Sequence, residues 1–159
     1  MHRFHLSLGS NLEPEKHLHA ALRELRARFG DLRVSPVYES AAVGFEGPPF
    51  WNLAVSLQAD LEPEALNEWL HALEAREGRM RGGPRYADRT LDIDIVAIDD
   101  RATERPELCE AFVLAPLNEI ASGLVERRSG ETIGALWTGI TKTKPDELPR
   151  RLDIDLRAD

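Results

Sequence analysis

The sequence predicts an α+β sandwich of the ferredoxin-like kind, an antiparallel sheet with helices packed on one face. Three observations carry this. Period-two and period-3.6 apolar patterns follow each other in the order β-α-β-β-α-β, at similar spacing throughout. Both helix candidates begin with proline in the first turn and acidic residues beside it, Pro14 with Glu13 and Glu15, and Pro63 with Glu62 and Glu64. The segments between them break at glycine and proline, as turns do.

Arg3 to Leu8 alternates, with Phe4, Leu6 and Leu8 on one face, and reads as the first strand before the Gly9-Ser10-Asn11-Leu12 break. Pro14 to Phe29 reads as a helix with the stripe Leu18, Leu22, Leu25 and Phe29, ended by Gly30. His17 and His19, two apart on that helix, face different ways and are expected as exposed polar residues rather than metal ligands. Leu32 to Tyr38 reads as a second strand, and 39–49 as a Gly/Pro loop.

Phe50 to Leu57 is the third strand. Trp51, Leu53, Val55 and Leu57 form its core face; Phe50 and Asn52 start the other. A ring and an amide side by side suit a flat polar heterocycle, the ring to stack and the amide to read an edge; a half-buried Phe with a turn-associated Asn is the alternative. The second helix carries Leu66, Trp69, Leu70 and Leu73 inward and stops near Glu77-Gly78. A basic glycine loop follows, Arg79-Met80-Arg81-Gly82-Gly83-Pro84-Arg85-Tyr86, mobile and able to close over phosphates, with a solvated surface loop as the alternative.

The fourth strand, 91–98, holds the most informative pair. Asp92 and Asp94 share one face, while Leu91, Ile93 and Ile95 share the other. Neighbouring carboxylates repel unless a cation lies between them, and a divalent ion with oxygen ligands is the common solution. With Arg79, Arg81, Arg85 and Arg89 just upstream, this is the equipment a polyphosphate needs. A solvated pair at a strand end, or one matched by Arg89, is the alternative. Downstream, 99–109 reads as loop, Phe112 to Leu117 as a short strand, 118–123 as a helical turn, and 132–137 as a short helix capped by Ser129 or Thr132. The domain is expected over 1–139. The tail 140–159 has little apolar content and is expected to be mobile; its second Asp-x-Asp, Asp153-Ile154-Asp155, lacks a glycine loop and reads as a decoy.

Composition excludes several classes. At 159 residues one domain with one core is expected. The net charge of -8 argues against a nucleic-acid binder, while a basic segment on an acidic chain focuses small anions. No apolar run reaches membrane-span length, Met1 to Leu6 is too short and polar for a signal peptide, and the single Cys109 fits a reducing cytoplasm. Small-molecule substrates are expected, and no nucleic acid, membrane or obligate protein partner.

The run Arg85-Tyr86-Ala87-Asp88-Arg89-Thr90-Leu91-Asp92-Ile93-Asp94-Ile95 resembles the signature of the 6-hydroxymethyl-7,8-dihydropterin pyrophosphokinases of folate biosynthesis. The resemblance extends from Leu8-Gly9-Ser10-Asn11-Leu12 through Tyr38, Phe50-Trp51-Asn52 and Glu74 to Arg81, and on to Phe112-Val113-Leu114-Ala115-Pro116-Leu117. It implies the same fold and transfer of pyrophosphate from ATP to the dihydropterin hydroxymethyl group, releasing AMP. It also implies roles. Asp92 and Asp94 would hold two Mg²⁺ ions. Arg79 and Arg89 would neutralise phosphate charge. His71, Arg81, Tyr86, Ile95 and Arg105 would join them around ATP, and Ser40, Val43, Phe50, Asn52 and Phe112 would bind the pterin. The chain departs from the pattern at Asp88, where proline or a small residue is usual, and at Glu110, where a basic residue is usual. Arg105 stands in for the histidine that 103–111 lacks. Those departures keep two alternatives open: a pterin-binding paralog without efficient transfer, and a ferredoxin-like regulatory module that leaves Asp92, Asp94 and the arginines unexplained.

Overall fold

The computed structural model describes residues 1–41, 47–78, 90–103 and 106–156. Alternating apolar residues along β1 (His2–Ser10), β4 (Phe50–Ala59) and β5 (Asp92–Ile98) build the centre of an antiparallel sheet. Shorter strands complete it: β2 (Arg33–Val34), β3 (Tyr38–Ser40), β6 (Arg101–Ala102) and β7 (Arg150–Arg151). The strand order is β6-β5-β1-β4-β3-β7, and β2 also pairs with β4. The central β5-β1-β4-β3 arrangement, with α1 (Pro14–Phe29) and α2 (Pro63–Arg76) as crossovers, is the expected ferredoxin-like α+β fold.

The main core lies between the sheet and these two helices. Phe4, Leu6, Leu8, Leu53, Val55, Leu57, Ile93 and Ile95 meet Leu18, Leu22, Leu25, Leu66, Leu70 and Leu73. His17, expected on the surface, is buried in this layer instead: its Nδ1 lies 2.9 Å from Glu77 Oε1, joining the start of α1 to the end of α2.

Four further features differ from the sequence expectation. The predicted strand 32–38 is split, because Pro36 has no N–H for a ladder. Ser35 bridges the gap; its Oγ accepts from Ala54 N at 2.8 Å while its own N–H donates to the Ala54 carbonyl. The apolar run at 112–117 is helix, within α3 (Ala111–Ala121), not strand. A short apolar run fits either form; here β7 occupies the β3 edge and β6 pairs along β5, and a helix satisfies its own backbone.

The helices also occupy both faces of the sheet. Against the face opposite the main core, Val113, Leu114 and Leu117 of α3 and Ile133 of α4 (Ile133–Thr143) pack on Ala54, Val96 and Ala97. That face is therefore partly covered, not wholly free for ligands. Finally, the described part of the tail is built into the fold: β7 pairs with β3, and Leu152, Ile154 and Leu156 pack on the main core. No described helix is long and apolar enough to cross a membrane.

Candidate active site

Register sets the site. Gly9 of β1 is paired with Asp92 of β5 on one side and with Asn52 of β4 on the other, and Asn52 is paired with Tyr38 of β3. Asp92, Gly9, Asn52 and Tyr38 thus form one row across four strands. Adjacent strands lie about 4.8 Å apart, so the Asp92 and Asn52 backbones are about 10 Å apart. Asp94 pairs with Ser7 in the parallel row below. Because side chains alternate, Asp92 and Asp94 point to the face opposite Ile93 and Ile95, the face that Asn52 and Phe50 also take.

The two ends of the row differ in their surroundings. Asn52 is only 4% exposed, and its Nδ2 donates to Ser40 Oγ at 3.0 Å. Ser40 in turn is the register partner of Phe50, which is half-buried. Phe112 stands in the first turn of α3, half-buried against the second core on the same side of the sheet. The structure therefore brings together Ser40, Phe50 and Asn52 on two neighbouring strands, with Phe112 on the helix that packs over them. At the other end Asp92 and Asp94 are half-exposed, and α2 borders their strand.

Two residues that the sequence reading did not assign emerge here. A Cβ on Gly9 would stand 2.9 Å from Asn52 Oδ1 and 3.8 Å from Phe50 Cδ1. Since Asn52 is buried and tied to Ser40, it cannot step aside cheaply, so the absent side chain is what lets the amide lie across β1. Glu74 of α2 is the second. It is 1% exposed, and its Oε2 accepts from Ile93 N at 2.9 Å, the peptide N–H between the two aspartates. Among the described residues β6 pairs with Ala97 and Ile98 alone, and Glu74 supplies an edge partner at the start of β5. The motif around Gly9 and Glu74 was visible in the sequence; their purpose depends on strand register and on an α2–β5 contact that spacing along the chain does not encode.

His71 is half-exposed and lies one turn before Glu74, on the flank of α2 nearest the β5 edge. Ile95, 7% exposed, is committed to the main core, on the opposite face from the aspartates. Val43, Arg79, Arg81, Tyr86, Arg89 and Arg105 lie outside the described residues. Among the described residues no group of three or more His, Cys, Asp or Glu side chains could hold a metal by itself. Two hard carboxylates on one face fit an ion of the Mg²⁺ type, which is commonly bound by one or two carboxylates and completes its shell with phosphate oxygens and water.

The ferredoxin-like sheet thus sets a carboxylate pair at one end of a row and a buried amide at the other, on one face. Comparison with known proteins supplies the class. The family model described as 7,8-dihydro-6-hydroxymethylpterin-pyrophosphokinase matches residues 5–122. The 2-amino-4-hydroxy-6-hydroxymethyldihydropteridine pyrophosphokinase of Synechocystis sp. is 37% identical over 80% of this chain and 71% of its own. The enzyme of that name from Pseudomonas aeruginosa is 36% identical over 77% of this chain and 82% of its own. Among solved structures, the Plasmodium falciparum HPPK-DHPS chain superposes with a TM-score of 0.74 at 13% identity over 97% of this chain, a likeness of fold. The present chain spans about half of that protein, 48% of its length. The chain belongs to the 7,8-dihydro-6-hydroxymethylpterin-pyrophosphokinase family and is an ATP-dependent pyrophosphokinase. None of these findings favours a binder that has lost transfer.

Proposed function

We propose that the pyrophosphoryl group of ATP passes to the hydroxymethyl oxygen of 6-hydroxymethyl-7,8-dihydropterin along the row Asp92-Gly9-Asn52. The observation that carries this is that row: register puts the carboxylate end and the amide end on one face of one sheet, with only a glycine between them. The pterin lies at the β3/β4 end. Asn52 and Ser40, with backbone near Val43, read its edge, and Phe50 and Phe112 hold its ring faces. Hydrogen-bonded to Ser40, the Asn52 amide is fixed before substrate arrives, and preorganised donors need no rearrangement during reaction.

At the β5 end, Asp92 and Asp94 would hold two Mg²⁺ ions. Bound there, the ions supply charge neutralisation for the triphosphate and its alignment. The chain's own contribution is to fix the two carboxylates: Glu74 anchors the peptide between them and β1 pairs the other edge. Arg79 and Arg89 offset phosphate charge, with Arg81 and Tyr86 closing on the nucleotide and His71 and Arg105 beside it, while the Ile95 side chain stays in the main core. The acceptor oxygen attacks the β-phosphorus of ATP, the bond to the α-phosphate oxygen breaks, AMP leaves with that oxygen, and the hydroxyl proton is released. Phosphoryl transfer of this kind depends on positioning and charge more than on covalent help from the protein. Cytoplasmic location and small-molecule partners alone accord with this reading.

The test is AMP release from MgATP with and without the dihydropterin. Dihydropterin-dependent AMP is expected. AMP that does not depend on the pterin, or none from protein that binds both substrates, contradicts the proposal.

A further inference from the structure

The family match ends at residue 122, and no role has yet fallen to the C-terminal strand. β7 is two residues long, Arg150 and Arg151, paired with Glu39 and Tyr38 of β3. Leu152 N extends the contact by donating to the Val37 carbonyl at 2.9 Å. Consecutive residues of a strand point to opposite faces, so the two guanidinium groups straddle β3. On one side, Arg150 Nη2 donates to Glu39 Oε1 at 3.1 Å, and Glu39 Oε2 accepts from Trp51 Nε1 at 3.2 Å. On the other, Arg151 Nη1 meets Glu119 Oε2 at 3.2 Å, and the Glu119 carboxylate also accepts from the Tyr38 hydroxyl. Burial, then the Glu119 charge, raises the Tyr38 pKa above its ordinary value.

These contacts converge on the pterin end of the row. Ser40, the partner of Asn52, is the last residue of three-residue β3. Glu119 follows Phe112 by seven positions on α3, two turns on, so both lie on one stripe of that helix. Anchoring Glu119 to β3 and β7 therefore fixes which way Phe112 faces. Exposed ion pairs add little to stability, and the side chains of Arg150 and Arg151 are 73% and 59% exposed. Their placement matters more than their strength.

We propose that Arg150 and Arg151 are positioning residues, a two-faced clamp that holds β3 and α3 at the spacing in which the dihydropterin fits between the Ser40–Asn52 edge and Phe112. The inference rests on the pterin assignment given above. It adds that pterin affinity is set in part from the C-terminal strand.

The test uses the full chain and titrates 6-hydroxymethyl-7,8-dihydropterin by fluorescence in the absence of nucleotide, beside KM for MgATP and the melting temperature. Arg151→Glu is expected to weaken dihydropterin binding about tenfold, as coupled neighbours in one network do, and to leave the MgATP KM within about twofold. Arg151→Lys should keep most of the affinity, and Glu119→Arg with Arg151→Glu should recover part of it. Unchanged dihydropterin affinity in Arg151→Glu overturns the clamp. So does an equal loss for both substrates with a lowered melting temperature, since that is general destabilisation. If Arg151→Glu does not fold, Arg151→Gln decides by the same criteria. Wild-type protein that binds no dihydropterin overturns the pterin assignment itself, and is told apart by failing before any substitution.

Discussion

Asn52 and Asp92 flank the same glycine in one row of the sheet, yet their surroundings are opposite. Asn52 is buried, hydrogen-bonded to Ser40 and overlaid by α3. Asp92 and its neighbour Asp94 are half-exposed, on a strand whose start is bonded at its edge by the Glu74 carboxylate. On the proposed assignment, the contrast follows from what each end would recognise. A neutral heterocycle is chosen by fixed hydrogen bonds and ring contacts, which need a dry and rigid wall. A metal-bound polyphosphate brings its own charge and part of its coordination shell, so its end needs anchored carboxylates that stay open to solvent.

Substitutions at the two ends should therefore separate binding from turnover. The largest effect is expected for Asp94→Ala. It should lower kcat by at least about 10²-fold, the scale for losing one electrostatic stabiliser, and leave dihydropterin affinity nearly unchanged. Steady-state AMP release beside a pterin titration checks both halves. Phe112→Ala should weaken the dihydropterin by about 1–3 kcal/mol, the range for losing a ring that stacks on a base, with MgATP binding preserved; unchanged affinity would remove Phe112 from the pterin end. Gly9→Ala sharpens the comparison, because the new Cβ presses on Asn52 Oδ1 and on no aspartate that the structure places near it. A cost of about 1–3 kcal/mol, typical of overpacking, should appear in the dihydropterin KM before the MgATP KM. Equal effects on both would mean that the row does not divide at Gly9.

The smallest expected effect lies away from both ends. His5 is buried with its Nδ1 2.6 Å from Ser56 Oγ, and burial lowers its pKa below the ordinary 6.5. Folding thus favours the neutral ring. Its contribution is complete above the unfolded value of 6.5 and is lost as pH falls from there through the lower folded value. Thermal melts between pH 7 and pH 5 should show a decline that is shallower in His5→Gln. An identical slope would assign the acid sensitivity elsewhere.

Long, strongly periodic segments were legible in the sequence. β1, α1, β4, α2 and β5 lie where alternation and helical stripes put them, because each buries a full face. Ser40, Phe50 and Asn52 lie together on neighbouring strands, and Phe112 stands on a helix rather than a strand, α3, which packs on β3 and β4. What could not be read is non-local. The two-residue strands β2 and β7 carry no period, and the tail's three packing residues, Leu152, Ile154 and Leu156, are too few to announce a core. The His17–Glu77 contact, the Glu74 edge bond and the clearance over Gly9 all depend on which elements become neighbours. That information lies in sheet order and not in spacing.

The most direct test of the divided row is a crossed binding measurement. Dihydropterin and MgATP are each titrated calorimetrically into wild type, Asn52→Ala and Asp94→Ala. The account predicts that Asn52→Ala loses dihydropterin affinity and keeps MgATP affinity, and that Asp94→Ala does the reverse. A variant that loses both, or a reversal of the pattern, would contradict it.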